Sequence, residues 1–321
     1  MTKAVLFFLI IFSSAQGQIS GCTDPVSKNY NPQATINDGS CRYDSFKTKA
    51  LSSIKLSDSI KETSGLVYFD HFLWTHNDDH DKTLYAVDSL GKIRKKIVLD
   101  KAINNDWEEI SQDSSFLYIG DFGNNSTGNR RDLKILKIEK KSFLGGNPIM
   151  ETIAFQYSDQ TDFSAKQGNT TNFDCEAFIV SKDSIYLFTK QWQSSQTSIY
   201  VLPNQAGNHI AQFKESLDTK GLVTGATYLE SKKLIVLCGY SKLGKPFLYL
   251  LYDFKDHDFL SGNKRRLDIG LSFHQIEGIA TTDGLHYYLT NEALVRKPLL
   301  NVRQQIHYFD LSPILNSYLH K

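Results

Sequence analysis

The chain has 321 residues, 40% hydrophobic and 22% charged, with Lys+Arg 36 against Asp+Glu 35. Those values exclude a disordered chain, a polytopic membrane protein and a strongly basic binder of nucleic-acid polymers. Phe 20 and Tyr 16 beside only 2 Met favour pleated, half-buried strands over helices.

Lys3 precedes an apolar run from Ala4 to Phe12, and small residues follow at Ala15 and Gly17. This pattern predicts a secretory leader over residues 1–17. As a helix the run spans about 14 Å, too short for a bilayer core of ~30 Å, so no transmembrane segment is expected. The protein is therefore expected to be secreted or held on the outer cell surface. Ile19-Ser20-Gly21-Cys22 also resembles a bacterial lipoprotein box, which would make Cys22 a lipid anchor. Cys41 offers the same sulfur a disulfide partner, and the disulfide is the favoured of the two.

The stretch from Gly21-Cys22-Thr23-Asp24-Pro25 to Asp38-Gly39-Ser40-Cys41 resembles a short Cys-bounded module recurrent in secreted Bacteroidetes proteins. A bridge closing such a loop in an oxidising compartment contributes ~3 kcal/mol. Residues 18–45 thus read as a disulfide-pinned spacer. The oxygens of Asp24, Asn37, Asp38 and Ser40 give it a second, less favoured reading as a calcium loop.

From residue 46 to 321 the signal is a repeat. A polar residue, a small or acidic one and an apolar run lead through a turn to a second strand with a polar end. The unit starts at Ser64, Glu108, Glu176, Thr224 and Glu277, spaced by 44, 68, 48 and 53 residues. Steps of ~40–50 residues holding short strands predict an all-β fold, a β-propeller of five blades by count. The long second step leaves a sixth, degenerate blade open, although the polar residues 157–173 read better as a loop over one face. Residues 52–56 form a spare strand placed to complete the last blade and close the ring, which leaves few edges exposed.

First strands line the tunnel of a propeller, so Ser64, Glu108, Glu176, Thr224 and Glu277 should form a ring. Every member offers oxygen. Carboxylates ~5 Å apart at an effective dielectric of ~20 repel by about 3 kcal/mol per pair, which calls for protons or a cation. An oxygen-only donor set suits Ca2+ rather than zinc. The competing reading is a ring that is merely wet or bonds backbone amides. The polar ends of the second strands should surround the ring and bring His76, Asn77, Asn124, Lys190, Trp192, Tyr240 and Asn291 to a bound ligand. Asp121 and Glu292 are the candidate general bases, with Lys190 and Arg130 or Arg131 as phosphate holders.

The ordered set Ser, Glu, Glu, Thr, Glu resembles the ring of the calcium-activated nucleotidases (apyrases), five-bladed propellers with one central calcium. Thr224 stands where that family has Ser and keeps the hydroxyl. The resemblance covers residues 64–292 and implies calcium held by the five positions, with hydrolysis of a nucleoside diphosphate. Leu73-Trp74-Thr75-His76-Asn77-Asp78, Asp106-Trp107-Glu108-Glu109-Ile110 and Gly120-Asp121-Phe122-Gly123-Asn124-Asn125 resemble more closely a group of secreted Bacteroidetes propellers. That likeness implies a fold and no activity. Esterase-like phytase and lactonase-type propellers share the Glu-Gly-apolar start.

Nucleophile-elbow, zincin, Cys-x-x-Cys and phosphate-loop motifs are absent from the sequence. Cys175 and Cys238 read as small buried residues, or as a bridge between neighbouring blades. The expected function is therefore a calcium-bearing binding or surface module for a small-molecule or surface ligand. The alternative is a calcium-dependent hydrolase of phosphate or other esters.

Overall fold

A computed structural model describes residues 17–78 and 80–320. Apart from Gly17, the expected leader lies outside the described residues. The Cys-bounded segment carries β1 (Ser20–Gly21) and β2 (Ile36–Asn37), which pair in parallel. It is followed by β3 (Lys47–Thr48) and β4 (Ser52–Lys55).

Antiparallel arrays then succeed one another. The first holds β5 (Thr63–Phe69), β6 (Phe72–Asn77), β7 (Thr83–Val87) and β8 (Ile93–Val98). The second holds β9 (Trp107–Gln112), β10 (Phe116–Asp121), β11 (Lys134–Glu139) and β12 (Met150–Tyr157), with a short helix α1 (Lys140–Leu144) between its last two strands. The third holds β13 (Cys175–Ser181), β14 (Ser184–Thr189), β15 (Thr197–Pro203) and β16 (Gly207–Leu217). The fourth holds β17 (Leu222–Leu229), β18 (Leu234–Tyr240), β19 (Pro246–Tyr252) and β20 (Asn263–Ile269).

The last array begins with β21 (Ile276–Thr281) and β22 (His286–Asn291) and is interrupted by a hairpin of β23 (Leu294–Arg296) and β24 (Leu300–Val302). It resumes with β25 (Gln305–Asp310) and takes β4 as its outer strand, Tyr308 opposite Ser52. The early spare strand thus closes the ring as its position predicts. Helix α2 (Ser312–Leu319) packs beneath the fourth and fifth arrays. The inner strands β5, β9, β13, β17 and β21 pack neighbour to neighbour and back to β5, which is the arrangement of a β-propeller. Residues 158–174 carry no strand.

Period-2 alternation explains the core. Each array is buried on both faces, so odd and even residues of one strand enter different seams. Phe178 and Val180 pack with Tyr118, Phe122 and Phe155 of the second array, while Ala177 and Ile179 pack with Val223, Ile235 and Phe247 of the fourth. Trp74 and Trp107 meet at the seam between the first and second arrays. Leu66 and Val87 meet Ala280 and Ile306 where the ring closes.

The outer edges of three arrays are covered. β12 and β16 pair in parallel, joining the second and third arrays, and β3 pairs with β20. Cys22 and Cys41 form a disulfide, so Cys22 has no thiol left for a lipid. The segment it pins is docked rather than loose. Asp24 accepts the hydroxyls of Tyr43 and Tyr252, and Asn37 donates to Asp253 and Asn263. Oxygens of Asn37 and Asp38 are taken by the amides of Gly39 and Ser40. These oxygens close turns and dock the segment instead of converging as a calcium loop. Cys175 and Cys238 are buried free thiols. Among the described residues, no helix is long and apolar enough to cross a membrane.

Candidate metal centre

The ring positions are built on irregularities of the inner strands. β9 pairs Glu109 with Gly120 and Trp107 with Asp121, which leaves Glu108 as the extra residue. Glu176, Thr224 and Glu277 are skipped in the same way, and in β5 the shift falls just after Ser64. A bulge residue leaves the ladder and has its side chain re-aimed. Here the side chains of Ser64, Glu108, Glu176 and Glu277 turn into the tunnel mouth.

Hydroxyls and carboxylates at these positions do different work. Ser64 Oγ donates to the carbonyl of Glu108 at 2.5 Å, and Thr224 Oγ1 donates to the carbonyl of Ile276. Each ties its array to the bulge of the next. Ser64, Glu108, Glu176 and Glu277 line a cavity of about 240 Å³ at the mouth; Thr224 does not. The oxygens able to share one ion come from Glu108, Glu176 and Asp174, all within 4.8 Å of one another. Asp174 escaped the repeat alignment because it precedes its strand. Its signal is Asp-x-Glu, present twice as Asp106-Trp107-Glu108 and Asp174-Cys175-Glu176. In extended chain, residues two apart share a face, so a second tier lies two positions before the ring. Glu62 and Gln275 occupy that tier in the first and fifth arrays and also line the cavity.

The group is held from outside. Asp174 accepts the amide of Asn124 and the indole N–H of Trp192, each at 2.7 Å. Lys190 Nζ lies 2.8 Å from Glu176 Oε1, over the rings of Trp192 and Tyr240 at 4.8 and 5.5 Å. A Cβ on Gly123 would stand 2.2 Å from Glu108 Oε1 and 2.3 Å from Asp106 Oδ2, so glycine makes room for both carboxylates. Glu277 is 6% exposed, and its Oε2 has no hydrogen-bond partner.

Burial is the first cause of every proton affinity here. It pushes Asp174 up to about 8, reinforced by Glu176, and Asp106 up to about 6, reinforced by Asp174. Burial and then Glu176 hold Glu108 well above the usual carboxylate range. Burial raises Glu277, Glu176 and Glu292, with Lys190 opposing in each case. Burial alone would lower Lys190, but Glu176, Tyr240 and Glu277 outweigh it and its affinity is raised. Among the described lining residues Lys190 is the one cation, against Glu62, Asp78, Glu108, Glu176, Glu277 and Glu292. The donor set is all oxygen and lacks a second positive charge, which fits a hard divalent cation.

The other expected residues divide. Glu292, Lys190, Trp192 and Tyr240 line the cavity. Asp121 lies outside the lining, in ion pairs with Arg130 at 2.9 Å and Lys134 at 2.8 Å, where it holds two strands of the second array. Asn77 bonds Ser59 and Asp81, and Asn291 bonds Glu292, Arg303 and His307. Asn124 braces Phe173 and Arg130. His76 is fully buried against Trp107, and burial lowers its pKa to about 4. Arg131 stacks on Phe163, away from the mouth. Residues 158–174 reach over the face, with Asn169 held by the carbonyl of Asn125 at 2.8 Å; both line the cavity.

Below the mouth lies a carboxylate that the repeat did not single out. Glu109 is fully buried, its Oε2 accepting the amide of Ala226 at 2.7 Å and its Oε1 that of Ile110 at 3.0 Å. It crosses the tunnel from the second array to the fourth.

No family model and no curated protein matches the chain. Among solved structures it is similar to the PQQ-bound aldose sugar dehydrogenase of Streptomyces coelicolor, at 10% identity over 82% of this chain and 97% of that chain, TM-score 0.46. It is also similar to a streptogramin B lyase, at 12% identity over 81% and 86%, TM-score 0.39. A chain of the mitotic checkpoint complex matches at 10% identity over 84% and 97%, TM-score 0.40. Likenesses this distant bring no ligand or activity to the present chain.

Proposed function

We propose that this protein is a secreted β-propeller binding module that holds a calcium ion at its tunnel mouth and engages a small-molecule or surface ligand through it. The observation that carries the reading is the convergence of Glu108, Asp174 and Glu176 oxygens within 4.8 Å, Asp174 buried behind Glu108 and Glu176, which line a cavity where Glu277 Oε2 lacks a partner. Oxygens on opposite sides of a calcium ion lie roughly 5 Å apart, and six to eight oxygens, water included, complete its shell. The Cys22–Cys41 bridge supports an oxidising, extracytoplasmic setting.

One observation favours binding over ester hydrolysis. Asp121, one of the two expected bases, is held by two cations outside the lining.

The test is the melting temperature of the protein with excess calcium and with chelator, beside a Glu108→Gln/Asp174→Asn/Glu176→Gln variant. Saturation at about 100 times the dissociation constant adds ~2.7 kcal/mol. A calcium-dependent rise that the variant loses supports the site. Equal melting with calcium and chelator, in a variant at least as stable, refutes it. Calcium-dependent turnover of nucleoside diphosphates or aryl esters would move the reading to the hydrolase.

A further inference from the structure

A second buried charge lies far from the tunnel, where the Cys-bounded segment meets the fourth array. A cavity of about 320 Å³ opens there between Cys41, Tyr43 and Phe46 on one side and Lys264, Arg265 and Arg266 on the other. Arg265 is 8% exposed, and its Nε and Nη1 are buried without a hydrogen-bond partner. Its guanidinium carbon stands 4.6 Å from the ring centre of Tyr43 and 5.8 Å from that of Phe46. Stacking satisfies the face of a guanidinium, but its N–H donors lie in the plane and point elsewhere. An arginine cannot shed its charge to relieve the mismatch.

Neighbouring groups do not supply the missing partner. Asp44 is paired with Lys28 at 2.7 Å. Asp268 lies 3.8 Å from Arg266, which also donates to the carbonyl of Thr219 and stacks on Phe247. Lys264 donates to the carbonyls of Leu260 and Gly262. The carboxylate of Asp24 is taken by Tyr43 and Tyr252. Among the described residues, Arg265 has no ion pair.

We propose that this seam is an anion site in which Arg265 binds a small oxyanion, of the carboxylate or phosphate class. The anion supplies acceptors to the in-plane donors of Arg265; the other charged residues along the cavity, Lys264 and Arg266 against Asp44 and Asp268, offset one another. Because the opposite wall belongs to the Cys-bounded segment, occupancy fastens that segment to the propeller. The site stands independently of the tunnel mouth.

Inorganic phosphate is the probe, titrated against chloride at matched ionic strength into the disulfide-intact protein with chelator present. Hydrogen exchange across residues 41–48 and the melting temperature are the two readouts. Wild type should show a saturable slowing of exchange in that segment and a rise in melting temperature. Arg265→Gln should bind phosphate at least tenfold more weakly, and Arg265→Lys should keep a weakened response. Acetate acting in place of phosphate would place the preference with carboxylates. A wild-type protein without a saturable response overturns the proposal, as does an equal response in Arg265→Gln. Should Arg265→Gln not fold, the wild-type titration and the Lys variant decide.

Discussion

The sharpest stability prediction concerns Glu109, the carboxylate that crosses the tunnel below the ring. Replacing it by alanine removes the acceptor of the Ala226 amide at 2.7 Å and of the Ile110 amide at 3.0 Å. Both amides sit in the packed interior, on residues that are buried. A buried donor without an acceptor costs ~1–3 kcal/mol, so the pair costs about 4 kcal/mol before any void is counted. Domains of this size lose about 2–4 °C of melting temperature per kcal/mol. Calorimetry at neutral pH should therefore find Glu109→Ala melting roughly 8–16 °C below wild type. Glu109→Gln keeps the volume and one acceptor oxygen and should recover about half of that loss. A loss under about 1 kcal/mol in the alanine variant would refute the tie. Gln as damaging as Ala would show that shape rather than hydrogen bonding holds the arrays together.

Two further outcomes follow from the same geometry. His307 links the closing strand, bonding Ser53 at 2.7 Å and Asn291 at 2.8 Å, and burial followed by His274 lowers its pKa to about 3. The unfolded chain binds a proton there near pH 6.5 and the folded chain only near 3. Its contribution is therefore complete above pH 6.5 and falls by about 1.4 kcal/mol for each pH unit down to about 3. Melting curves of wild type and His307→Gln should diverge as pH rises from 4 to 7; parallel curves would remove His307 from the clasp. Gly123→Ala should leave the fold in place but weaken calcium binding at least tenfold, because its methyl group displaces Glu108 and Asp106. Calorimetric titration checks this, and unchanged affinity would detach that turn from the site.

The repeat made the architecture legible because each unit writes the same alternation into two buried faces. The strand at Ser52–Lys55 could be assigned to the last array because it had no partner of its own. The bulges at Glu108, Glu176, Thr224 and Glu277 were not legible, since an extra residue leaves no mark in an apolar pattern. Two-residue spacing could have revealed Asp174, but aligning single positions hid it. Asp121 was misleading for a physical reason: a polar residue at a strand end looks the same whether it faces a ligand or two cations, one on the next strand and one in the loop between. Glu109, adjacent to a ring residue, points the other way along the tunnel, which follows from alternation once the bulge is known.

The closing strand has a consequence for the order in which the molecule can be made. Synthesis delivers the N-terminal residues first, so β4 must wait for β25, and the Cys-bounded segment must wait for the fourth array on which it docks. A wait of this length costs little at equilibrium, about 0.6 kcal/mol for each doubling of the loop, but it is long in time. The disulfide between Cys22 and Cys41 lies wholly inside the early segment and can form before either partner surface exists. What emerges ahead of the arrays is therefore a small cross-linked unit and an unpaired strand, and the ring is sealed when β25 arrives.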